Sequence, residues 1–93
     1  MAVMAGVAMA DDAGVRGKVR TFISEAFFAE GFPDDESFIH AGIVDSLGIS
    51  ELVAFLEKEF SIRIGDDELR PENLDSIARA ASFVERKRRR PAA

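Results

Sequence analysis

The group in this chain best placed to do chemistry is the hydroxyl of Ser46. It lies in Gly42-Ile43-Val44-Asp45-Ser46-Leu47, directly ahead of a helix-patterned run that ends near Phe60. A hydroxyl at the exposed first turn of a helix is well placed to carry a phosphate. The free N–H groups and partial positive charge of that turn favour an attached anion. Asp45 suits the N-cap, where its carboxylate accepts a bond from an unpaired backbone N–H. Taken alone, Asp-Ser-Leu means only that a helix starts here. His40 is the single histidine. As a general base for Ser46 it would imply a Ser/His hydrolase, which also needs an oxyanion hole and a substrate pocket. A chain this small and helical is not expected to build both, so His40 reads as a loop residue near the serine with no catalytic role. The run Asp66-Asp67-Glu68-Leu69 lacks the ligand spacing and closing Glu of a calcium loop. It reads as an acidic, solvated helix start, and Asp34, Asp35 and Glu36 read as a solvated turn. The chain has no cysteine. That excludes a disulfide framework, a protein thiol nucleophile and a cysteine metal site. Any thiol chemistry must therefore use a cofactor's sulfur.

The elements that position Ser46 follow from apolar periodicity. At about 100° per residue, Ile49, Leu52, Val53, Leu56 and Phe60 fall in one arc roughly 100° wide, the width of a core-facing stripe. Leu47, Ser50, Glu51, Ala54 and Lys58 fall on the opposite arc, Glu57 lies at its edge on the Ser46 side, and Phe55 falls on a flank. Upstream, Val15, Val19, Phe22, Ile23 and Ala26 share the apolar face of a first helix, with Asp12 a candidate cap and Arg16, Lys18 and Arg20 on a solvated side. Gly31 and Pro33 end that helix. The connection over residues 30–44 is long, and Gly42 is expected to supply a backbone conformation closed to other residues. After Phe60, Ser61 to Gly65 alternates as an extended connection. Pro71 to Leu74 reads as a turn, and Asp75 as the cap of a last helix whose apolar face is Ile77, Ala80, Ala81 and Val84. The expected fold class is all-α: three main helices near 12–29, 46–60 and 75–88, a short helical turn near 66–70, and a long first loop.

In order and spacing these pieces resemble the acyl/peptidyl carrier protein family, the phosphopantetheine-attachment domains. The residues that carry the resemblance are Gly42 to Leu47, then Glu51-Leu52-Val53-Ala54-Phe55-Leu56-Glu57-Lys58-Glu59-Phe60. Ile62-Arg63-Ile64 with Asp66 to Leu69, and Pro71-Glu72-Asn73-Leu74-Asp75-Ser76-Ile77, complete it. It implies that a phosphopantetheinyl transferase joins the 4′-phosphopantetheine arm of coenzyme A to Ser46. The arm's thiol then holds an acyl or aminoacyl group as a thioester. The chain would be no enzyme itself but a shuttle between a loading ligase and downstream synthase or transferase enzymes. Mg²⁺ commonly assists the transferase step in this family, and Asp45 matches the acid beside the serine, without forming a stable metal site. By position, partners would dock on Leu47, Ser50, Glu51, Ala54 and Glu57, with Asp66, Asp67 and Glu68 nearby. Gly48 stands where fatty-acid carriers often have an acid, and Lys58 interrupts the acidic run. Both point to a specialised carrier, and the short N-terminal extension and basic C-terminal tail lead to the expectation of a stand-alone protein. The alternative is an unmodified helical interaction module that uses the same face. A further option is a nucleic-acid or membrane role for the basic tail.

Composition bounds these readings. The 93 residues suffice for one domain, with 47% hydrophobic and 31% charged residues as in ordinary globular chains. Eight Phe provide all the aromatic packing. Five of the twelve basic residues lie in Arg86 to Arg90, so the net charge of −5 becomes −10 without them. So acidic a body argues against nucleic acid and for basic partner surfaces. Residues 1–11 read as a flexible extension, 12–86 as the carrier domain and 87–93 as a basic tail. The apolar start has no charged n-region, and no stretch approaches the ~18 apolar residues of a membrane span. A cytoplasmic monomer is expected.

Overall fold

The computed structural model describes residues 11–89, and the expectations for residues 1–10 and 90–93 lie outside them. Helix α1 (Asp11–Phe27) buries Val15, Val19 and Ile23, as the spacing predicts. Ala26, expected on the same face, is exposed. The helix also stops sooner than expected, because Phe28 takes a left-handed φ of 55° with its ring 92% exposed.

Helix α2 (Ser46–Phe60) has the expected bounds. Leu52 and Leu56 are fully buried, Ile49, Val53 and Phe60 are half-buried, and Ser61 ends the helix at a φ of 56°. Helices α1 and α2 run antiparallel. Phe27 lies against Gly48, Phe22 stacks on Phe55 with centroids 4.3 Å apart, and Lys18 pairs with Glu59 at 3.0 Å.

The expected helical turn is a 3-10 turn at Asp66–Glu68, and residues 61–65 form no strand. Pro71–Leu74, expected as a turn, winds one helical turn, α3, with proline at the first position where its missing N–H costs nothing. Helix α4 (Ile77–Arg89) buries Ile77, Ala80, Ala81, Phe83 and Val84, packs chiefly on α1, and runs three residues into the segment assigned to the tail. The fold is therefore all-α, a small bundle of three long helices and a short one. Among the described residues no helix is long and apolar enough to cross a membrane.

Asp75 does not cap α4. Ser76 does, its Oγ accepting from the Arg79 N–H at 3.0 Å. Asp75 is buried and holds the first loop instead. Its carboxylate accepts from Ser37 Oγ and from the Ile39 N–H at 3.0 Å, and its carbonyl from the Phe38 N–H at 2.9 Å. The long loop is tied a second time at Asp34, so neither that turn nor its cations are merely solvated. Arg16 and Arg20 both grip the Asp34 carboxylate, and the Asp34 carbonyl accepts from the Ala78 N–H at 2.9 Å. The loop's Phe38 is fully buried and its Val44 nearly so, so the segment leading to Ser46 is part of the core.

Candidate functional site

Ser46 is the first residue of α2 and is exposed. Three local features hold it there. Gly42 has the positive φ, 75°, expected of it, which lets the chain reverse just upstream. The Ile43 and Val44 N–H groups both donate to the Phe38 carbonyl, at 2.8 and 3.2 Å, and fix the approach. Asp45 is the N-cap, its Oδ1 accepting from the Gly48 N–H at 2.9 Å. Such a cap stabilises a helix by about 1 kcal/mol.

Gly48 has a packing role. It is buried, and a Cβ there would meet Phe27 Cε1 at 2.7 Å and Val44 Cγ1 at 2.8 Å. No side chain fits without movement, so the absence of an acid at this position follows from packing. The signal was present in the sequence as a glycine in the first turn of a helix, where its low propensity calls for a reason.

On the proposed partner face, Leu47, Ser50, Glu51 and Ala54 are all exposed, Leu47 by 77%. Glu57 is half-buried, and its Oε2 accepts from the Ile64 N–H at 2.9 Å. That bond ties the chain after α2 back to the helix at Glu57. In the 3-10 turn that follows, Asp66 and Asp67 are exposed. Glu68 is held, its carboxylate accepting from Lys87 at 2.9 and 3.0 Å and from the Gly65 N–H at 2.9 Å. Leu47, Ser50, Glu51 and Ala54 thus lie exposed along α2 after Ser46, while the Glu57 and Glu68 carboxylates are engaged by Ile64, Gly65 and Lys87.

His40 is exposed. Its backbone N–H donates to Ser37 Oγ at 3.1 Å, and its ring makes no hydrogen bond to Ser46. Away from Ser46, hydrogen bonds from Arg20, then Arg16, hold Asp34 below the usual carboxylate range. No protein-family model matches this chain, and no curated protein is found to resemble it.

Proposed function

We propose that the protein is a carrier that holds an acyl or aminoacyl group as a thioester on a 4′-phosphopantetheine arm at Ser46 and presents it to partner enzymes. The observation that carries this reading is a solvent-exposed hydroxyl at the first turn of a capped helix, followed by an exposed Leu47. The residues present fit the group. The first-turn N–H groups of α2 face an anion favourably, and nothing in the described chain covers Ser46. In the transfer, Ser46 Oγ would attack the phosphorus that bears pantetheine in coenzyme A. A phosphodiester forms, the pyrophosphate bond breaks, the adenosine bisphosphate half leaves, and the serine proton passes to a base of the transferase. The arm supplies the thiol that the cysteine-free chain lacks. Asp45 holds the turn and stands beside the reacting oxygen. Leu47, Ser50, Glu51 and Ala54 would form a small, mostly polar contact, with Asp66 and Asp67 steering a basic partner and permitting quick release.

Incubation with coenzyme A and a broad-specificity phosphopantetheinyl transferase, read by intact mass, tests this. Wild type is expected to gain one arm and Ser46→Ala none. A wild type that stays unmodified, beside a control carrier that is modified, would favour an interaction module acting through the same face.

A further inference from the structure

Helix α4 carries a row of cations that form no salt bridge among the described residues. At about 100° per residue, Arg79, Ser82, Arg86 and Arg89 fall within roughly 80° of one another. At 1.5 Å per residue they extend over about 15 Å. All four are exposed. Of the other described cations, Arg16 and Arg20 pair with Asp34, Lys18 with Glu59, Arg70 with Glu72 and Lys87 with Glu68, while Lys58, Arg63 and Arg88 stand singly with no salt bridge and do not line up with one another. Along this row, among the described residues, no arginine meets a carboxylate within salt-bridge distance. Arg86 donates to the Asn73 amide oxygen at 3.1 Å, and Arg79 only reaches the Pro71 carbonyl at 3.5 Å. In a chain with 17 acidic residues, such a row is a surface prepared for an anion from outside.

We propose that this row docks an acidic face of a partner protein. Three observations favour a protein over another polyanion. Glu85 lies among the arginines, lining with Ser82, Arg86 and Arg89 an open depression of about 360 Å³. One of its carboxylate oxygens is buried with no hydrogen-bond partner. A phosphodiester backbone would be repelled by that carboxylate and brings no donor to it, whereas a protein face supplies carboxylates and N–H or O–H donors together. Without the three arginines of the row the net charge of −5 becomes −8, which repels a long polyanion that extends past the row. The neighbouring apolar residues, Phe83 and Val84, are buried, so the row has nothing to insert into a bilayer. Arginine's planar fork suits carboxylates, and its fixed charge makes the contact independent of pH near neutrality. This surface needs no arm on Ser46, so it stands or falls separately from the carrier reading.

Fluorescence anisotropy on the full, unmodified chain tests it. The probe is a labelled helical peptide with Glu at i, i+7 and i+10, set against its Gln counterpart, a short DNA duplex and phosphatidylserine vesicles. The Glu peptide is expected to bind best, more weakly as salt rises. The triple change Arg79→Gln, Arg86→Gln, Arg89→Gln is expected to cost about tenfold in affinity, the sum of three exposed charge pairs. Lys58→Gln with Arg63→Gln, exposed cations off the row, should change nothing. Circular dichroism confirms that each variant is folded. Failure of the Glu peptide to bind, equal binding by the triple variant, or tighter binding of the duplex or vesicles overturns the proposal.

Discussion

Replacing Gly48 by alanine tests the joint that holds Ser46 in place. Alanine in a helix interior is favoured over glycine by about 1 kcal/mol, and by less in the first turn. Against that gain stand two contacts. The new methyl would sit 2.7 Å from the Phe27 ring and 2.8 Å from the Val44 methyl, and Val44 is 3% exposed and cannot swing away. Overpacking of this kind costs about 1–3 kcal/mol. The net expectation is a loss of about 1–2 kcal/mol, or roughly 4–16 °C in Tm for a domain of this size. The chain holds its own controls. Gly14 and Gly17 are exposed in α1, and a Cβ at either meets nothing within 4 Å. The same substitution there should stabilise by up to ~1 kcal/mol each. Thermal and urea unfolding followed by far-ultraviolet circular dichroism suits a chain without Trp or Tyr. If Gly48→Ala proves as stable as wild type while the α1 variants behave as expected, the close approach of α1 to α2 is not as described. The reasoning about Ser46's support then fails.

Other perturbations probe other joints. Asp34→Asn should lower stability by about 1 kcal/mol at neutral pH, a figure already reduced for partial solvent screening. Because Arg20 and Arg16 depress the Asp34 pKa in the fold, wild type keeps that contribution above the unfolded carboxylate value near ~3.9 and loses it as pH falls through the lower folded one. The gap between wild type and variant in urea midpoints should therefore close with acid. Asp75→Ala should cost about 1–3 kcal/mol, since it strips partners from a part-buried hydroxyl and a backbone N–H at once. Amide exchange should then rise first at Ile39. Phe28→Gly should raise the urea midpoint slightly. The left-handed φ costs a non-glycine residue about 1–2 kcal/mol, the exposed ring gives almost nothing back, and part of the gain is offset by glycine's freedom in the unfolded chain. A fall in stability would mean that the ring is packed in solution.

What could be read from sequence divides by range. The bounds of α2 and its buried face were legible because periodicity, an N-cap and a helix start all agree over residues 45–60. The end of α1 was not. Phe28 obeys no turn rule, and its left-handed φ is imposed by the fold around it. Ser76 displaced Asp75 as the cap of α4 because the carboxylate is claimed by Ser37 and Ile39, which are 38 and 36 residues away in sequence. Arg16 and Arg20 looked solvated for the same reason, since Asp34 meets them only after the loop closes. On the candidate site, Ser46 and Asp45 declared themselves by local context. The engagement of Glu57 and Glu68 did not, because their partners, Ile64 and Lys87, are set by chain reversal and by packing against α4. Gly48 was legible as an anomaly and explicable only once Phe27 was seen beside it.

The most direct measurement of the central proposal uses the absence of cysteine. A chain with no thiol of its own acquires one only with the arm. After treatment with coenzyme A and a phosphopantetheinyl transferase, then gel filtration to remove free coenzyme A, a colorimetric thiol titration of the unfolded protein should find one thiol per chain in wild type and none in Ser46→Ala. No thiol in wild type, with the transferase shown active on a control, or an equal count in both proteins would contradict Ser46 as the attachment point.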